Sequence, residues 1–90
     1  MRTWQMTQRL VARAFVLGLD ADLTTADQAV QLVRLAGADL EALDVAVRRI
    51  EAGPERTSPL AAQAITALKV AADIVSTPPT VLTPALGTVA

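Results

Sequence analysis

The chain reads as an all-α protein: a small four-helix domain over residues 1–76, its short helices joined by tight Gly/Pro turns, with an extended, Pro-containing apolar tail over 77–90. Two observations predict this class. Apolar residues recur at three- and four-residue spacing in four separate stretches, and a capping or helix-breaking residue stands at the boundaries of those stretches. A third observation concerns volume. The apolar residues, 52% of the chain, are mostly small: 18 alanines, 12 leucines and 10 valines stand beside two aromatics, Trp4 and Phe15. With 90 residues and side chains of this size the core is thin, so self-association or a partner is expected to complete its burial.

The first helix is expected over residues 3–17, where Leu10, Val11, Ala14, Phe15 and Gly18 fall at helical spacing and Met6 and Leu17 widen the stripe. Arg2, Arg9 and Arg13 lie on the remaining arc. Gly18 is expected to end this helix in the left-handed conformation, which costs little without a Cβ. After the link GLDADL, the second helix is expected over 25–36, opened by a capping box in which Thr25 and Gln28 cap each other's free N–H groups. Its apolar face is read as Ala26, Ala29, Val30, Val33 and Ala36, with Asp27, Gln31 and Arg34 facing water and Gly37 as terminator.

Asp39 caps the third helix, expected over 39–52, in which Leu40, Leu43, Val47 and Ile50 repeat opposite Glu41, Asp44, Arg48 and Glu51. Asp44 and Arg48 are placed to form an i,i+4 pair, and Gly53 with Pro54 stops the helix. The fourth helix, expected over 58–76, has the plainest start: Ser58 at the N-cap and Pro59 at the first helical position, where a missing N–H costs nothing. Ala61, Ala64, Ile65, Leu68, Ala71, Ala72 and Val75 form a near-heptad stripe so rich in alanine that a facing helix can approach closely. Pro78 and Pro79 forbid its continuation.

Nothing after Asp73 carries a charge, yet the tail holds Val81, Leu82, Leu86 and Val89. Two readings stay open: a frayed terminus with incidental apolar residues, or an extended segment that docks into an apolar groove on its own body or on a neighbouring subunit. Trp4, Phe15, Ala61, Ala64, Leu68, Ala71, Val75, Val81, Leu82 and Leu86 are therefore the candidate interface residues.

Composition narrows the chemistry. With no histidine and no cysteine the chain has no thiolate nucleophile, no disulfide, no His-containing catalytic triad and none of the usual zinc ligands. Asp20 and Asp22 are too few for a calcium site, and Ser58 already has a role as a cap, about three helical turns from Lys69. No catalytic, cofactor or metal residue is assigned, no small-molecule substrate is evident, and the protein is read as a non-enzyme. The longest apolar run, Ala14–Leu19, has six residues against about 20 for a membrane span, so no span and a cytoplasmic location are expected. Seven arginines against one lysine, with no asparagine, point to GC-rich coding and a bacterial or phage source.

Two leads concern partners. The stretch LVRLAGADLEALDVAVRRI resembles a DNA-binding helix-turn-helix: Ala36 and Gly37 stand at the small residue and turn glycine, and Leu43 at a buried site. Its charges run the other way, because Asp39, Glu41 and Asp44 open the would-be recognition helix and Arg48 and Arg49 come at its far end. The second lead is charge placement. Residues 1–19 carry three arginines and no acid, while residues 20–55 carry eight acids and three arginines. Either these regions neutralise each other within the chain, or Arg2, Arg9 and Arg13, with Arg48 and Arg49, meet an anionic partner. The expected function is a non-catalytic protein–protein interaction or assembly module, self-associating through the fourth helix and the tail. A small helix-turn-helix-like nucleic-acid-binding regulator is the alternative, and an accessory subunit or adaptor of a larger complex is the third reading.

Overall fold

The computed structural model describes residues 2–77, with side chains from Trp4 onward, as four α-helices: α1 (Arg2–Gly18), α2 (Thr25–Ala36), α3 (Leu40–Ala52) and α4 (Pro59–Ser76). The all-α class is as the sequence predicts, and each boundary falls within one residue of its expected place. The tail with Val81, Leu82 and Leu86, and the Arg2 side chain, lie outside the described residues.

Local chemistry explains most of these boundaries. Ser58 Oγ accepts from the Ala61 N–H at 3.0 Å, and Asp39 Oδ1 accepts from the Ala42 N–H at 3.1 Å, each quenching a donor that a helix start leaves free. Gly37 ends α2 with φ +62°, its N–H donating to the Val33 carbonyl. Ala38 follows at φ +67°, a conformation that costs an alanine about 1 kcal/mol and turns the chain tightly into α3.

Two expectations need correction. The capping box opening α2 is built from Thr24 and Asp27, one residue earlier than the Thr25 and Gln28 pair: Thr24 Oγ1 accepts from the Asp27 N–H at 3.1 Å, and Asp27 Oδ2 accepts from the Thr24 N–H at 3.3 Å. Asp27 suits the last position of the box as well as Gln28 does, and it leaves the Gln28 amide free for another task. Gly18, in turn, is the last helical residue of α1 and not a left-handed terminator. Its lack of a Cβ serves close approach, since a methyl there would stand 2.9 Å from Leu60 Cδ1 on α4.

α4 lies at the centre and packs against all three other helices, whereas α2 and α3 scarcely touch each other. Ala61, Ala64, Ala67, Leu68 and Ala71 of α4 are fully enclosed, facing Leu10 and Ala14 of α1, Ala29 and Leu32 of α2, and Ala42, Leu43 and Ala46 of α3 within one core. α4 is also the one described helix long and apolar enough, by length and composition alone, to cross a membrane, where the six-residue run Ala14–Leu19 is not; here its alanine face is the core of the fold.

α2 runs back along α1. Gln28 meets the Leu17 carbonyl near one end, and Leu35 lies beside Arg9 towards the other. The apolar face of α2 is rotated from its expected position: Ala26 and Val30 are exposed, while Gln28, Ala29, Leu32 and Ala36 are buried. On α3, Leu40 is likewise exposed at the first turn, with Leu43, Val47 and Ile50 buried as their spacing predicts.

Candidate interaction surface on the first helix

The alanine stripe of α4, expected at a contact between chains, is occupied within one chain. Ala61, Ala64, Leu68 and Ala71 are each 0% exposed, and Val75 is half-buried against the same core. This corrects their place among candidate interface residues. Small side chains let a facing helix approach, as the sequence implies, but the facing helices are α1, α2 and α3 of the same molecule.

α1 has a different outer side. Its inner face gives Leu10, Ala14 and Leu17 to the core, and its outer face still presents Trp4, Ala12 and Val16 to solvent, with Val16 56% exposed. Trp4, 53% exposed, lies beneath the Arg49 guanidinium, whose carbon is 5.9 Å from the ring centroid. That cation–π distance ties the start of α1 to the last turn of α3 and keeps the indole available at the surface. Phe15 is half-buried and lines a largely apolar hollow of ≈ 250 Å³ with Val11, Ile50 and Pro54, Arg49 standing at its rim.

The opposite flank of α1, towards α2, is basic. Arg13 and Leu35 line two adjoining hollows, one of ≈ 290 Å³ shared with Gln31 and Arg34, the other of ≈ 370 Å³ shared with Arg9, Ala12 and Val16. Arg9, Arg13 and Arg34 are all exposed. Among the described residues the one ion pair is Lys69 with Glu51, 3.7 Å apart at the surface. The expected Asp44–Arg48 pair does not form within that reach, and among the described residues neither Arg9 nor Arg13 meets a carboxylate. Exposed i,i+4 pairs are worth only about 0.3–0.5 kcal/mol, so the fold loses little without this one.

Arg34 was not among the residues singled out from sequence. It stands 21 positions after Arg13, and only the return of α2 along α1 brings the two to one hollow. Its signal was the helical hairpin itself, since a short link between two amphipathic helices puts their polar flanks side by side. Arg48 and Arg49 are exposed on α3, away from this groove, and Arg49 is engaged by Trp4.

Among the described residues two polar side chains are buried. Gln28 Nε2 donates to the Leu17 carbonyl at 3.1 Å, and Gln28 Oε1 accepts from Gln63 Nε2 at 2.8 Å, which also donates to Thr25 Oγ1 at 3.1 Å. This network joins the end of α1 to the starts of α2 and α4. Thr7, fully enclosed on the inner face of α1, has a hydroxyl with no partner among the described residues.

The groups considered for catalysis have other occupations. Ser58 caps α4, Lys69 faces Glu51, and Asp20 Oδ1 accepts from the Asp22 N–H in the link. The turn at Gly37 joins two helices that pack on α4 instead of on each other, unlike the paired helices of a DNA-reading helix-turn-helix. Compared with family models, curated proteins and solved structures, the chain matches none.

Proposed function

We propose that this chain is a non-catalytic protein–protein interaction module whose contact face is the outer side of α1 with the grooves on either flank. The observation that carries this reading is the make-up of that side. α1 contains no acidic residue, exposes Trp4 and Val16, and borders hollows towards both α2 and α3. A helix serving only its own core turns a polar face to water. Here an indole and an isopropyl group stand among arginines, and tryptophan with arginine is the pairing enriched at interface hot spots.

The reading moves the proposed contact from α4 to α1 while keeping its class. Self-association and service as an adaptor subunit both remain within it, since each needs an accessible apolar face and differs only in the partner.

Site-specific photo-crosslinking in the cell of origin tests the assignment. A photoreactive residue at Trp4 or Val16 is expected to give discrete adducts, and one at Thr66, exposed on α4, is expected to give none. Absence of adducts from both α1 positions, or equal adducts from Thr66, overturns it.

A further inference from the structure

Resting on the role proposed for the α1 face, we infer that the groove between α1 and α2 receives an acidic, amphipathic segment of a partner protein. Its carboxylates would lie against Arg9, Arg13 and Arg34, and its apolar side chains against Val16 and Leu35. The two hollows that make up the groove adjoin, sharing Arg13 and Leu35, and together their lining combines charged and apolar groups.

Charge complementarity selects this occupant. Three arginines line the two hollows, Arg13 both of them, with no carboxylate within ion-pair reach among the described residues, and none of the three makes a hydrogen bond there. Each presents a planar fork of donors matched to a carboxylate or phosphate. The apolar component decides between those two anions. Single-stranded nucleic acid is held by stacking bases on aromatic rings, and this groove offers only aliphatic groups, with Trp4 on the other flank of α1 beneath Arg49. The eight acids of residues 20–55 also oppose a long polyanion, whereas a short acidic segment meets only the local field. A leucine or isoleucine set among glutamates and aspartates satisfies both parts of the groove, in the manner of a helix laid into a hydrophobic channel.

A second copy of this chain is a poorer occupant. Its exposed leucines beside acids, Leu19 with Asp20 and Asp22 and Leu40 with Glu41 and Asp44, are not among the residues that line the groove. A contact through them is head-to-tail and gives a ring or an open filament in place of a two-fold dimer.

The test uses the full chain and a library of random peptides displayed on phage. Peptides enriched at low salt are expected to carry an excess of Asp and Glu beside Leu or Ile, and to lose affinity as salt rises. Arg13→Glu and Arg34→Glu are each expected to weaken the enriched peptides by about tenfold or more, Val16→Ser by severalfold, and Arg48→Glu, off the groove, by little. Circular dichroism of each variant establishes that it is folded; these side chains are exposed, and the substitutions remove nothing from the core.

Several results would overturn the inference. They are failure to enrich peptides, enrichment without acidic excess, indifference to Arg13→Glu, tighter binding of a single-stranded oligonucleotide than of any peptide, and salt-sensitive self-association abolished by Glu41→Lys with Asp44→Lys. Crosslinks from Trp4 and Val16 that persist when the library fails would leave the contact face standing and remove only the acidic partner.

Discussion

α1 and α4 are nearly equal in length, 17 and 18 residues, and both carry a continuous apolar stripe, yet they spend their surfaces in opposite ways. α4 turns a narrow face of four alanines and a leucine to three neighbours at once, and that face is wholly covered within the fold, while Ile74 on its outer side stays exposed. α1 gives one face to the core and keeps indole, isopropyl and guanidinium groups outside. The difference lies in side-chain size as well as position. Methyl groups let several helices crowd one face, so the alanine face of α4 is enclosed, while Trp4 and Val16 of α1 protrude beyond what its neighbours cover. A small-residue stripe is thus a sign of crowding, and exposed bulk is the better sign of an outside partner.

Substitutions can break this contrast. Leu68→Ala, at the centre of α4, removes a fully enclosed side chain and is expected to cost about 3 kcal/mol in urea unfolding, with the denaturant slope unchanged. Next is Gln28→Ala, which takes one partner from the Leu17 carbonyl and another from the Gln63 amide. A loss of about 2 kcal/mol is expected, with faster hydrogen exchange at the starts of α2 and α4. Thr7→Val, on the buried side of α1, acts in the opposite direction. It replaces an unpartnered hydroxyl by a methyl on an equally β-branched side chain, and calorimetry should show a gain of about 1 kcal/mol. Val16→Ser, on the exposed side of the same helix, should shift the unfolding midpoint by less than about 0.5 kcal/mol. A large effect at Val16, or none at Leu68, would erase the distinction between the two helices.

The four helices were legible because their boundaries are written in local chemistry. Ser58 with Pro59, Asp39 and Gly37 each act on backbone groups within a few residues, so short sequence windows contain all the information they need. The orientation of α2 was harder to read. Apolar residues lie on several sides of it, so spacing alone puts Val30 inward, whereas in the structure Val30 is exposed and Leu32 is buried. Burial of an amide depends on acceptors supplied from elsewhere: the Leu17 carbonyl lies 11 residues earlier, and the Gln63 amide that completes the network lies 35 later. The candidate site divides in the same way. Arg9 and Arg13, one turn apart, were visible as an arc, but Arg34 joins them only through tertiary structure. Likewise, periodicity shows that the α4 stripe is buried without showing which chain does the burying.

The Gln28–Gln63 contact has a consequence for how many structures this sequence can adopt. Ala29 and Ala36 of α2 and Ala61, Ala64, Ala67 and Ala71 of α4 are all buried, so apart from Leu32 and Leu68 little in the apolar surface resists sliding one helix past the other by a turn of about 5.4 Å. Hydrogen bonds do not tolerate such a shift, because their partners must stay within a few tenths of an ångström. The buried amide pair therefore acts as a pin that fixes the axial register of α2 on α4. In a core so rich in alanine, two glutamines join Leu32 and Leu68 in selecting one arrangement.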